Sequence, residues 1–327
     1  MKGVWLPQHR AEEKYRYIPV EVGRGGFEVT LSHRGGVLDL GVFDPSGRFR
    51  GYSGGARSRF SITPEWATPG YLPGGIEPGE WSVFLGLHRV PADGVEWEIT
   101  VGPPVEQPVP QPPPVPQRVQ KRRDVPPGWF AGDLHAHTVH SDGSLTIEEL
   151  AALAASSGLD FLAVTDHNTV SHHPHLAAIG RRYGVELIPG QEVTTDRGHA
   201  NVFGDSAGWV DFREPPQTWD GLMSINHPLT TDCSWRMPVP PTRLAEVWHS
   251  GWWDRTWSAP LAWLLAWDPS AAPIGGSDFH DPAQTALLGR PTTWVKAESP
   301  EQVWQGLAAG RTAVSESPDG PLLLREG

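Results

Sequence analysis

Two kinds of hydrophobic periodicity divide the chain. Between residues 27 and 101, apolar and polar residues alternate in short runs: FEVTLSH at 27–33, VLDLGVFD at 37–44, RFSI at 59–62, WSVFLGLH at 81–88 and VEWEITV at 95–101. A period of two places alternate side chains on one face, so each run predicts a half-buried strand. The glycines and prolines between the runs supply turns, and together they predict a small all-β, sandwich-like domain over residues 1–102. After residue 129 the period lengthens. Ile147, Leu150, Ala151 and Ala154 recur at helical spacing within 144–158, with Thr146 and Glu149 as a capping box and Gly158 as the stop. The strand LDFLAVTD follows at 159–166, then an alanine-rich helix around 176–183 and strands at 185–190, 222–228, 244–250 and 272–280. Alternating helix and strand predicts an α/β domain over 129–327, its parallel sheet covered by helices and either open or closed into a barrel.

The two patterns meet at a break. Residues 103–127 hold ten prolines in 25 positions, and each proline fixes φ and removes a backbone donor. Residues 103–128 therefore read as an extended, semi-rigid linker with few contacts on either side. Its Lys121, Arg122 and Arg123 read as a solubility feature.

Composition narrows the function. The 327 residues carry 26 Lys and Arg against 38 Asp and Glu, a net charge of −12. That balance opposes a broad electrostatic grip on extended nucleic acid or an anionic membrane. Neither a signal-peptide run nor a stretch of about 18 apolar residues occurs, so the chain reads as soluble and cytoplasmic with no membrane partner. The single cysteine, Cys233, allows no internal disulfide and no thiolate cage, which leaves metal chemistry to His and carboxylates. The β domain reads as a structural appendage in preference to a substrate-gathering module.

Eleven of the 14 histidines fall between His135 and His280, and many stand at or just past predicted strand ends. In DLHAHTVHSDG (133–143), His135 and His137 are two apart on an extended segment, so both rings face one side and suit one cation. Asp142 follows the turn, and His167 ends a strand in AVTDHN. Glu192 lies in GQEVTTDRGHANVFG with His199 seven residues on. A carboxylate can bridge two cations where an imidazole cannot, which makes Glu192 the candidate bridge. His227 in NHP, with Asp278 and His280 in GSDFHD, completes a nitrogen and oxygen set suited to Zn, Mn or Fe. His140 and the histidines of SHHPHL read as loop residues, and His249 as a substrate contact.

Together DLHAHTVHSDG, VTDHN, the Glu192 segment, NHP and GSDFH resemble the motif series of the PHP (polymerase and histidinol phosphatase) superfamily. GHANVFG and AAGRTAVSESPDG (308–320) are similar to its CehA/McbA-type phosphoesterase branch. The resemblance runs from 129 to about 320. It implies a distorted (β/α)7 barrel holding two or three divalent metal ions. By similarity, His135, His137, Glu192 and Asp278 would hold the first, Glu192, His199 and His227 the second, and Asp142, His167 and His280 the third. Asp142 stands where other members place a His.

The reaction expected of such a site is hydrolysis of a small phosphate ester by a hydroxide between two metals about 3.5 to 4 Å apart. Asp278 could accept a hydrogen bond from that nucleophile. Residues 129–327 hold 11 basic and 24 acidic side chains, and the cations reverse this charge where the anion docks. Arg197, Arg236 and Arg255 are candidate phosphate contacts. The run WHSGWWDRTW (248–257) either stacks an aromatic group or packs over the rim. Two other readings compete: hydrolysis of a carbamate or amide, with Trp252, Trp253 and Trp257 binding a planar substrate, and a noncatalytic scaffold.

Overall fold

The structure, a computed structural model, describes residues 1–106, 108, 110–119, 125–204, 208–214, 219–237, 244–250 and 259–324. Two compact units divide the chain, Met1–Gln111 and Pro112–Gly327. Among the described residues no helix is long and apolar enough to cross a membrane.

The first unit contains β1 (Lys2–Trp5), α1 (Pro7–Glu12), β2 (Tyr15–Val22), β3 (Phe27–Arg34), β4 (Val37–Phe43), β5 (Phe49–Gly54), β6 (Arg59–Ile62), β7 (Gly79–Arg89) and β8 (Val95–Gly102). They form two four-stranded antiparallel sheets, ordered β1-β8-β3-β6 and β2-β7-β4-β5. Alternation decides which side chains go in. Val95, Trp97 and Ile99 of β8, Val29 and Leu31 of β3, and Ile18, Val20 and Val22 of β2 enter one core with Leu40, Val42, Val83 and Leu85. Five strands match the expected runs; β1, β2 and β5 add to them. Pro19 interrupts the apolar run of β2, and the fold accommodates its missing N–H by placing β2 at a sheet edge.

The second unit begins with β9 (Trp129–Asp133), α2 (Ile147–Ser156), β10 (Phe161–Val164), α3 (His173–Tyr183), β11 (Glu186–Thr195) and β12 (Gly198–Phe203). It continues with β13 (Leu222–Ile225), β14 (Leu244–His249), α4 (Ala259–Trp267), β15 (Ala272–Gly276), β16 (Thr292–Lys296), α5 (Val303–Ala308) and β17 (Thr312–Ser315). In α2 the expected box forms: Glu149 N donates to Thr146 Oγ1 at 3.2 Å and Thr146 N to Glu149 Oε2 at 2.8 Å. Its face of Ile147, Leu150, Ala151 and Ala154 is buried, and each large aliphatic there contributes about 1.5–3 kcal/mol.

The strands make one nine-stranded sheet in the order β15-β14-β13-β12-β11-β10-β9-β16-β17. It is mixed, which corrects the expectation of a parallel sheet. β9, β10 and β11 run parallel, as do β13, β14 and β15, but β12 is antiparallel to both its neighbours. The cause is local: only Asp196 and Arg197 separate β11 from β12, and so short a connection can make only a hairpin. A regular (β/α)7 repeat is therefore absent among the described residues. The sheet nearly closes. Thr293 Oγ1 of β16 accepts from Gly275 N and donates to Gly275 O, both at 2.8 Å. Beyond the strand ends, Ala136 bridges Phe279 in parallel.

The proline-rich segment departs from the expectation of few contacts. Tyr183 donates to Pro113 O at 2.6 Å, and Arg118 donates to Leu159 O at 2.9 Å and Asp160 Oδ1 at 2.7 Å. Residues 113–118 are thus bonded into the second unit.

Candidate metal centre

Strands of the sheet and the segments just past their ends deliver polar side chains to one place. His135 and His137 lie just past β9, so the extended segment carrying them is a continuation beyond the strand. His167 follows β10, His227 follows β13, and Asp278 and His280 follow β15. In the β11–β12 hairpin, Glu192 pairs with Asn201 and Thr194 with His199. Alternation then puts Glu192, Thr194, His199 and Asn201 on the same face. His227 and Asp278 adopt positive φ, 27° and 54°, a conformation that costs about 1–3 kcal/mol outside glycine and that surrounding contacts must hold.

Glu192 is fully buried at the centre. Its Oε1 lies 3.2 Å from His135 Nε2, 3.2 Å from His199 Nδ1 and 3.3 Å from His227 Nε2. Its Oε2 lies 2.7 Å from His167 Nδ1 and 3.6 Å from His137 Nε2. Asp278 Oδ1 stands 3.1 Å from His135 Nε2 and 3.0 Å from His137 Nε2. On the outer side, Asp142 Oδ1 is 3.3 Å from His280 Nε2 and 3.6 Å from His167 Nε2. His137 is sandwiched between the rings of His167 and His280, at 4.3 and 4.1 Å.

These atoms face shared points. The buried Nε2 of His135 makes no aligned hydrogen bond despite the nearby carboxylate oxygens, as expected of donor atoms grouped around a cation. Four sets bring their ligand atoms within 4.8 Å of one another: His135, His137, Glu192, Asp278; His137, Asp142, His167, His280; His135, His227, His249; and His199, His227, Cys233. The sets made of nitrogen and oxygen donors, preformed and largely buried apart from the outer one containing exposed Asp142, fit divalent transition metals. The ionisable groups of the cluster perturb one another strongly. Burial would raise Glu192, but the His135, His167 and His199 imidazoles outweigh it and hold the carboxyl well below its usual range. Burial opposes charge on His167, yet Glu192 and Asp142 raise it to about 9. Burial together with His280 and His167 lowers His137 to about 4.

All nine sequence-derived candidates, His135, His137, Asp142, His167, Glu192, His199, His227, Asp278 and His280, come together. His249 joins them, its Nε2 3.4 Å from Asp278 Oδ2. Arg197 and Arg236 hold the hairpin turn. Arg197 Nη2 donates to Arg236 O at 3.1 Å and Arg236 Nη2 to Asp196 O at 2.6 Å. Arg255, Trp252, Trp253 and Trp257 lie outside the described residues. His172 ties strand ends together through the carbonyls of Val164 and Gly190, at 3.0 and 2.9 Å.

Sequence reading missed the supports. Glu246 of β14 is fully buried; its Oε1 is 2.8 Å from His135 Nδ1 and its Oε2 accepts from His227 N at 2.7 Å. Asp133 accepts from the amides of His135, Ser277 and Gly289 at 3.1, 3.1 and 2.8 Å. Asn226 donates to Glu192 Oε1 at 2.9 Å. Cys233, set aside in the sequence as a ligand, has its Sγ 3.3 Å from His227 Nδ1. The one available signal was an acidic residue inside the apolar strand LAEVWH.

The PHP domain family matches residues 133–240, a span that includes seven of the nine residues and excludes Asp278 and His280. Three curated proteins are similar over shorter stretches of the chain. Phosphoribosyl 1,2-cyclic phosphate 1,2-diphosphodiesterase of Eggerthella lenta is 40% identical over 62 residues, 19% of this chain and 24% of the relative. The 3',5'-nucleoside bisphosphate phosphatase of Chromobacterium violaceum is 37% identical over 93 residues, 28% and 32%. The 5'-3' exoribonuclease of Haemophilus influenzae is 38% identical over 64 residues, 20% and 23%. The chain thus spans about a quarter to a third of the length of these relatives. Among solved structures, a two-domain protein from Bacteroides vulgatus described as containing a PHP-like metal-dependent phosphoesterase has a TM-score of 0.48 at 22% identity, covering 62% of this chain and 69% of that one. What the chain carries, then, is a match to the PHP domain over the segment that supplies most of this centre.

Proposed function

We propose that the Pro112–Gly327 unit is a metal-dependent phosphoesterase that hydrolyses a small phosphate ester with two or three divalent ions of the Zn, Mn or Fe type. The observation that carries this reading is Glu192, whose two buried oxygens face different groups of imidazoles. His135, His137, Glu192 and Asp278 would hold one ion, Glu192, His199 and His227 a second, and Asp142, His167 and His280 a third. Bound there, the ions supply Lewis acidity toward a phosphoryl oxygen and acidify water. The similarity to a phosphodiesterase, a phosphatase and a ribonuclease supports phosphorus as the centre attacked, and the affiliation we favour is the CehA/McbA-type branch.

The chain's own groups then have defined tasks. Glu192 sets the spacing between adjacent sites. Asp278, less buried than Glu192, would accept a hydrogen bond from attacking water and hold it in line. Glu246 orients His135. Arg197 and Arg255 are the proposed phosphate contacts. Domain boundaries at 102 and 128 belong to the same proposal.

A panel of phosphomonoester, phosphodiester, nucleotide and aryl carbamate substrates with added Mn tests it. Turnover of a phosphate ester, competitively inhibited by phosphate or vanadate, is expected. Turnover of an aryl carbamate alone, without inhibition at millimolar phosphate, would overturn it.

A further inference from the structure

We infer that His249 is a tenth protein ligand of the metal centre, joining His227 at the second site and drawing Asp278 in as another bridging carboxylate. The inference rests on the metal-centre reading and extends it to a residue expected only to touch substrate.

The backbone provides the first argument. Glu246 and His249 are three apart, so a regular strand would point them to opposite faces. In β14, however, Glu246 pairs with Ile274, Trp248 with Gly275 and His249 with Gly276, so the register shifts between Glu246 and Trp248. The bulge absorbs Val247 and returns His249 to the face of Glu246, and bulges re-aim side chains in this way beside active sites. Space on that face is tight: a Cβ at Gly276 would lie 2.1 Å from Glu246 Oε1 and 2.7 Å from His135 Cβ.

The second argument is the direction of the nitrogens. Glu246 engages His135 through Nδ1 and Cys233 faces His227 through Nδ1, which leaves both Nε2 atoms directed to the centre. One ring nitrogen from each of His135, His227 and His249 lies within 4.8 Å of the others. His249 is 4% exposed, its ring 4.9 Å from that of His227. Asp278 presents Oδ1 to His135 and His137 and Oδ2 to His249, at 3.4 Å. A carboxylate divided between imidazole groups in this way mirrors Glu192. Added to Glu192, His199 and His227, His249 gives the second site three imidazoles, a donor set suited to Zn or Fe.

The test is Co(II) loading of metal-free wild type, His249→Asn and His249→Ala in the full chain, with circular dichroism as the folding control. The readouts are metal equivalents, the Co(II) dissociation constant of the second site and the visible ligand-field spectrum. Both variants should bind the second ion at least ~10–100-fold more weakly, the range that loss of a mere supporting partner already costs. Their spectra should change, and added imidazole should restore that of His249→Ala. Unchanged affinity and spectrum with a raised KM would overturn the inference and return His249 to a substrate contact. Wild type that binds no metal would instead overturn the proposed function itself.

Discussion

His135 Nδ1 and Glu246 Oε1 meet at 2.8 Å in the fully buried interior of the second unit. The other oxygen of the same carboxylate holds the His227 amide, at a residue of positive φ. One side chain thereby fixes the ring orientation of one ligand and the backbone of another. Glu246→Ala should lower metal affinity by about 10–100-fold, and Glu246→Gln, which retains a single acceptor oxygen, should lose less. Metal content after dialysis checks both.

Glu192 separates from His280 in the same measurement. Because Glu192 faces several imidazoles, Glu192→Gln should impair two sites at once, whereas His280→Ala should empty mainly the site shared with Asp142 and His167. Equal metal loss in the two variants would contradict the bridging role.

Metal removal should destabilise the second unit alone. Ions that bind only the folded state add about 2.7 kcal/mol at a hundredfold excess over Kd. A chelator should therefore lower the melting transition of the Pro112–Gly327 unit and leave that of the β-sandwich unchanged, read by calorimetry.

The bonds made by the proline-rich segment give a fourth prediction. A fragment beginning at Pro112 retains the acceptor of Tyr183 and the Arg118–Asp160 pair; one beginning at Gly128 loses both. Buried Asp160 would keep its bond from Ala131 N but lose Arg118. The shorter fragment should be less stable by about 1–3 kcal/mol in urea titration.

In the sandwich, Asp44 sets a pH dependence. Its carboxylate accepts from Ser46 N, Ser46 Oγ, Arg48 N and Arg48 Nε. Burial would raise its pKa, but these hydrogen bonds and the Arg48 charge hold it below the ordinary value. A depressed folded pKa contributes stability above the unfolded value, about 3.9, and that stability is lost as pH falls through the folded one. Asp44→Asn should therefore cost about 1–3 kcal/mol at pH 7. The gap from wild type should narrow below pH 4 in thermal melts of the first unit.

Some of this was legible in order alone. Strict alternation in VEWEITV and the capping box of Thr146 and Glu149 are local, so their strand and helix follow from neighbours a few residues apart. Pro19 hid β2, because a proline argues against a strand until the sheet places it at an edge. The two-residue turn at Asp196 and Arg197 hid the antiparallel β12, since helix and strand alternation on either side implied a parallel sheet.

The same division holds at the site. The sequence by itself determined which side chains can bind metal, since His and carboxylate types at strand ends carry their chemistry wherever they go. Only the tertiary structure decided which ring nitrogen each presents and what holds it there. Glu246 and Asn226 gave no spacing signal because they act on partners from other strands, and Asp133 because two of its three amide partners, Ser277 and Gly289, lie far along the chain. His249 depends on a one-residue bulge, and a shift of one position in a strand reverses the face a side chain takes.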